Sequence, residues 1–296
     1  MNYIVCFMFC FVLLTGSAFA NMLEVRIRKP QSVEDATHSY YAGLLQLALN
    51  KTEKEYGPAK INITNEKITK SRAFKMLEDP RLSRIDVEWA GTSLEWEQKL
   101  LPVRIPLLGG LLGYRALVTN KAVAPDIAAV RSMEEMKRFV AVQGTDWTDS
   151  DILEAAGLPV KRVVVFEHMY ALLKRRGVDY FPRGINEAYA EVAGAGDPNL
   201  VVVDSVLLHY ALPMYFFTSL TNKALALRIE AGLRAAIKDG SFAQYMREHP
   251  ATAGLFPLSR FNDSVVLHMD NPFLSPETPL DDPSLWINVG KGMRIH

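Results

Sequence analysis

Short apolar runs alternate with helix-like stretches along most of the chain, and twice that alternation gives way to extended sequence that no helix separates. Residues 23–28, 61–64 and 85–89 read as strands, with helices starting at Ser39 and Lys70 between them. Farther on, 139–142, 163–166, 179–184 and 201–203 read as strands, and 133–138, 149–157, 168–175 and 186–193 as helices. Strands separated by helices at this spacing predict an α/β protein with mostly parallel sheets. The interruptions are different. Residues 101–107 and 114–118 flank the glycine-rich bend 108–113, and 214–218 forms the second extended passage. Both read as crossings of a hinge between two lobes, each a mostly parallel sheet flanked by helices. Lobe one is expected at 21–115 plus 216–296 and lobe two at 116–215. A long helix over 223–238 follows, with Leu225, Ile229, Leu233 and Ile237 on one face, and Asp239-Gly240 stops it. The tail beyond Asn271 carries Pro272, Pro276, Pro279 and Pro283, and is expected to wrap the surface in extended form.

Within lobe two, residues 139–157 run from a buried strand through the Gln143-Gly144 turn into a helix, with Asp149 or Ser150 as its cap. A strand that turns into a helix start gathers backbone N–H groups at one point, backed by the helix dipole. Two readings stand for this corner: an ordinary capped turn, or a holder for an oxygen anion. Thr145, Trp147, Thr148 and Ser150 add donors, whereas Asp146 and Asp149 oppose a strongly anionic ligand.

The first twenty residues form an address label. An apolar run over 4–14 leads through Thr15-Gly16-Ser17 to Ala18-Phe19-Ala20, a small-x-small pattern that predicts a signal peptide cleaved after Ala20. The run is shorter than the ~20 residues a membrane span needs. Both cysteines, Cys6 and Cys10, lie inside it, so the mature chain is expected to have no disulfide, thiolate metal site or thiol catalysis. The 33 basic and 33 acidic residues cancel, which gives nucleic acid no electrostatic footing. The expectation is a soluble, periplasmic monomer. The cluster Gly194-Ala195-Gly196-Asp197-Pro198 follows no strand and reads as a helix stop, not a phosphate loop.

The order of these elements resembles the family-3 periplasmic solute-binding proteins, the amino-acid-binding class with the two-lobed type II fold. The pieces that carry the resemblance are Gln143-Gly144-Thr145, the 179–184 strand and turn, the return through 215–218, and the closing helix from Asn222 to the Asp239-Gly240 stop and Phe242. Within that group it is similar to a bacterial branch with GLLGYR and DYFPRG stretches, here 110–115 and 179–184. The resemblance implies a protein that binds a small-molecule ligand for a membrane transporter of the ABC type or a membrane sensor, with no cofactor, metal or catalytic residue. One departure stands out. An arginine expected a few residues after the strand-three threonine, where it clamps a ligand carboxylate, is absent: Thr92 is followed by Ser93-Leu94-Glu95-Trp96-Glu97. Arg104, Arg115 or Arg183 can supply a guanidinium instead, or each can serve an ion pair.

Ligands in open α/β sheets bind beyond the carboxyl ends of the strands. That rule, with the substitute arginines, selects Tyr40, Trp89, Thr92, Arg115, Thr145, Trp147 and Arg183 as ligand-binding candidates. Thr145 and nearby N–H groups are assigned the anion, Arg183 its neutralisation, and Trp147 with Trp89 a planar part of the ligand. For Tyr40 and Tyr41 a core role is the competing reading. The alternative function is a periplasmic enzyme on the same fold, of the cyclohexadienyl dehydratase type, for which Glu167-His168 is the adjacent acid–base pair. A ligand-free scaffold or a detached sensor is a third reading. No His-Glu-x-x-His or Gly-x-Ser-x-Gly motif points to zinc or serine hydrolysis.

Overall fold

A computed structural model describes residues 22–289 apart from 31–35, 67, 80 and 83. The expected leader, Cys6, Cys10 and the cleavage point after Ala20 lie outside the described residues. Among the described residues no helix is long and apolar enough to cross a membrane.

Eleven strands are present among them: β1 Leu23–Ile27, β2 Ala59–Ile63, β3 Glu88–Gly91, β4 Leu101–Val103, β5 Tyr114–Asn120, β6 Ala141–Gly144, β7 Val160–Val163, β8 Tyr180–Gly184, β9 Leu200–His209, β10 Met214–Thr218 and β11 Val265–His268. In lobe one β1 pairs in parallel with β2, while β10 runs antiparallel between β3 and β4. The Asp86 N–H donates to the Arg26 carbonyl at 2.7 Å, joining β1 to the chain that enters β3. The layer therefore reads 2-1-3-10-4. In lobe two the order is 7-6-8-5-9-11, with β5 antiparallel to β8 and β9. The lobes thus repeat one plan. In each, the antiparallel strand is the one whose chain has just arrived from the other lobe.

The passages between lobes lie side by side. The Leu107 N–H donates to the Met214 carbonyl at 2.9 Å, the Tyr210 N–H to the Gly113 carbonyl at 3.2 Å, and Tyr114 stands opposite His209. Both crossings are therefore concentrated in residues 104–114 and 209–214. The tail straps this passage. Gly110 has φ 78°, and a Cβ there would lie 2.4 Å from the Trp286 ring, so only glycine lets the tail settle on the bend. The Ile287 N–H then donates to the Gly109 carbonyl at 2.8 Å.

Two expectations are corrected. Residues 265–268, assigned with all of 216–296 to lobe one, form β11 and pair in parallel with the far half of β9. The backbone groups on the outer edge of β9 take the last strand among the described residues, extending the ladder. The strand expected at 163–166 lies earlier, at β7, because Val164 is 83% exposed and belongs to the connection that follows. The same division, 21–115 with 216–296 and 116–215, also shifts at its boundaries, since Tyr114 and Arg115 belong to β5 in lobe two and Met214 and Tyr215 to β10 in lobe one; otherwise it remains a proposal.

Candidate functional site

Between the lobes lies a cavity of about 590 Å³. Lobe one contributes Lys70, Ser71 and Phe74 from the helix Lys70–Glu78, Ala90 and Gly91 from the end of β3, and Trp96 from the helix Leu94–Lys99. Lobe two contributes Arg115, Asp146, Trp147, Thr148, Asp149, Arg183 and Glu187, and Leu112 and Leu212 from the crossings close the back. An adjoining cavity of about 540 Å³ shares Glu187 and is lined by Tyr40, Tyr41, Leu108, Tyr189 and Arg260.

On the lobe-two wall, Arg115 projects from β5 and is 3% exposed. Its Nη2 lies 2.6 Å from Asp149 Oδ1, and its Nε–H donates to the Tyr210 hydroxyl at 2.9 Å. The Tyr210 hydroxyl in turn donates to Asp149, closing a triangle. Burial is the largest single influence and pulls the Arg115 pKa down, but Asp149, Tyr210 and Glu187 together outweigh it and hold the guanidinium above the ordinary value. Arg183 is held in the same manner. Its Nε–H and Nη2–H donate to Glu191 at 2.7 and 2.6 Å, and Nη2 lies 2.9 Å from Glu187. The guanidinium also sits 5.0 Å from the Phe181 ring centre and 5.3 Å from that of Trp147. Here too burial lowers the pKa and the two glutamates more than restore it.

Part of the strand-turn-helix corner is satisfied within itself. The Thr145 N–H donates to the Val163 carbonyl at 3.1 Å and the Trp147 N–H to the Gly144 carbonyl at 3.2 Å. The Thr145 carbonyl accepts from Arg162 at 2.9 Å. The helix Thr148–Ala155 has Trp147, not Asp149 or Ser150, at its N-cap position with no capping side-chain hydrogen bond, and the Ser150 hydroxyl donates back to the Gly144 carbonyl at 2.6 Å. A Cβ on Gly144 would fall 2.5 Å from the Trp147 indole. Glycine there lets the indole lie over the strand end and stack on Phe181 at 6.3 Å and 27°.

The lobe-one wall holds its charge differently. No carboxylate among the described residues forms an ion pair with Lys70. Its side chain reaches solvent through the cavity yet is hemmed in by protein, and that loss of hydration lowers its pKa. Behind it, Arg28 Nε–H donates to the fully buried Glu88 at 2.8 Å, a pair whose charges cancel. Trp96 packs on Phe74 with ring centres 4.3 Å apart, forming an aromatic wall.

Of the residues chosen from sequence, Arg115, Trp147 and Arg183 line the main cavity and Tyr40 the adjoining one. Tyr40 is 1% exposed, and its hydroxyl donates to the Leu107 carbonyl at 2.8 Å. Trp89 is buried between Arg28, His38, Tyr41 and Phe216 and lines neither cavity. Thr92 is buried and donates to Glu97 at 2.5 Å, and Thr145 is spent in the corner. Arg104 pairs with Glu97 and Glu277 at 2.8 and 2.7 Å. The residues missed are Lys70, Ser71, Phe74, Trp96 and Glu187. Lys70 was within reach of the strand-end rule, since its helix begins just past β2.

No family model and no curated protein matches the chain. Solved structures do. An ancestral arginine-binding protein bound to arginine covers 77% of this chain and 98% of its own length at 18% identity and TM-score 0.52. A Salmonella typhimurium periplasmic binding protein with high arginine specificity covers 77% of this chain and 99% of its own at 15% identity and TM-score 0.50. This chain has a periplasmic-binding-protein fold. Another structure with that fold is an ancestral amino-acid-binding protein, a precursor of cyclohexadienyl dehydratase, with 14% identity, TM-score 0.51, and coverage of 76% and 94%. At these identities the likeness extends to the fold, and the ligand must be argued from the cavity.

Proposed function

We propose that this chain is a secreted, periplasmic solute-binding protein of the family-3 type whose lobes close on a small, polar, carboxylate-bearing ligand and deliver it to a membrane transporter or sensor. The observation that carries this reading is the cavity of about 590 Å³ between lobes joined by adjacent crossings, lined by charged groups of both signs and by aromatic rings. Its size suits a small molecule, and its position lets closure bury one. Its two arginines are held in place by carboxylates before any ligand arrives, which lowers the ordering cost on that wall. The catalytic alternative loses its sequence support, because Glu167 and His168 line neither cavity.

A thermal-shift screen of residues 21–296 against amino acids, organic acids, peptides and sugars tests the reading. At a hundred times the dissociation constant a ligand adds roughly 2.7 kcal/mol, a rise of several degrees in the midpoint. Absence of a shift with every member of the screen would count against solute binding. N-terminal sequencing of the exported protein checks cleavage after Ala20, and Met1 retained in a membrane fraction refutes it.

A further inference from the structure

We infer that Lys70 is the residue that holds the ligand's anionic group, and that the cleft takes a carboxylate carrying a planar apolar body that lies against Phe74 and Trp96. The inference rests on reading the cleft as a solute site. It starts from the cations among the described residues that line the main cavity, which are Lys70, Arg115 and Arg183. Arg115 touches Asp149, and Arg183 touches Glu187 and Glu191, so a ligand anion approaching either one meets a carboxylate already in place. Asp146 adds a further negative charge to that wall and makes no ion pair among the described residues. Across the cleft, Lys70 makes no ion pair among the described residues, and the Glu88 behind it, already tied to Arg28, offers only a partial counter-charge. An anion entering the cavity is therefore repelled by the lobe-two wall and attracted to Lys70. The Lys70 ammonium, exposed at the cavity and with no carboxylate in ion-pair contact among the described residues, is open to a charged partner.

The neighbours of Lys70 define the rest of the ligand. Ser71 follows it and offers a hydroxyl to the same anionic group. Phe74, one helical turn on from Lys70, supports Trp96 at 4.3 Å, and both rings line the cavity. Trp96 stands in the stretch after Thr92 where the resemblance leads one to expect the clamping arginine. The guanidinium has given way to an aromatic wall, and the positive charge comes from a different helix of the same lobe.

The test is calorimetric titration of the mature chain with benzoate, phenylacetate, 3-phenylpropanoate and L-phenylalanine, each beside its amide. At least one acid is expected to bind, and its amide to bind tenfold or more weakly. Lys70→Gln is expected to weaken the acid at least tenfold and leave the amide unchanged, with Lys70→Arg recovering most of the loss. Equal weakening of acid and amide by Lys70→Gln, or of neither, overturns the anchor assignment, and absence of binding by every acid overturns the ligand class. A positive thermal-shift screen with a ligand insensitive to Lys70→Gln would sink this inference while leaving solute binding intact.

Discussion

On the lobe-two wall of the cleft Arg115 and Arg183 touch carboxylates of their own lobe, whereas on the lobe-one wall Lys70 touches none among the described residues. Both walls face the same water and stand on sheets of the same plan, so the difference is one of local pairing. Lobe two arrives at the cleft with its arginines already neutralised and its Trp147 and Phe181 rings stacked. Lobe one arrives with a charge still to be satisfied. A group that is paired within the fold contributes to stability, while a group left unpaired at a cavity is available to a ligand.

Substitutions can break this contrast. The largest effect is expected for Asp149→Ala, which strands Arg115 and removes the acceptor of Tyr210; the loss is about 3–5 kcal/mol, read by urea denaturation. Arg183→Ala is likewise expected to lower the melting temperature through Glu187 and Glu191, so weaker ligand binding in that variant must be separated from lost stability. A melting temperature unchanged by both substitutions would mean that these ion pairs do not hold the lobe-two wall.

Next in size is a pH effect confined to lobe two. His209 stacks on Tyr114 at 4.2 Å and its Nδ1 lies 3.1 Å from that of His268, a contact that needs a proton on only one of the two nitrogens. Burial lowers the His209 pKa to about 3. Because the folded value lies below the unfolded one, the neutral ring's contribution is complete above the unfolded pKa of about 6.5 and is lost as pH falls toward 3. The slope is about 1.4 kcal/mol per pH unit, and His209→Asn should flatten it in denaturation curves between pH 4 and 6. A wild-type slope that survives this substitution would trace the effect to other groups.

Smaller effects sharpen the lobe-one side. Trp96→Ala removes the stacking on Phe74 and should cost about 0.5–1.5 kcal/mol beyond the buried area lost. Lys70→Gln should change the stability of the unliganded protein by no more than about 0.5 kcal/mol, since no ion pair is broken. If Lys70→Gln proves as damaging as Asp149→Ala, the contrast between the walls disappears.

The plan of the lobes was legible because helix and strand periods are local properties of sequence. The helix over 223–238 and the bend at 108–113 both stand where their patterns place them. β11 was not legible: Val265–His268 offers too short a run to separate a strand from a loop, and its partner lies some sixty positions earlier on β9. The strand-end rule brought Trp147 and Arg183 to the cavity, and the search for a substitute guanidinium brought Arg115, yet the rule also selected Trp89 and Thr92, whose direction depends on packing. Trp89 turns inward to Arg28 and Phe216, and Thr92 turns to Glu97. The pairing of Arg183 with Glu187 and Glu191 is local, but that of Arg115 was beyond any local pattern, because Asp149 reaches it only once β5, β9 and the corner are assembled.

The placement of β11 orders events during synthesis. The other strands of the lobe-two sheet have all been made once residue 209 emerges, but the outer edge of β9 stays uncovered until residues 265–268 follow. Through that interval a row of unpaired backbone groups is open to a neighbouring chain, the exposure that leads partly folded sheets to aggregate. The lobe encoded in the middle of the sequence is therefore finished by residues near its end, and truncation before residue 265 should reduce soluble yield before it touches the cleft.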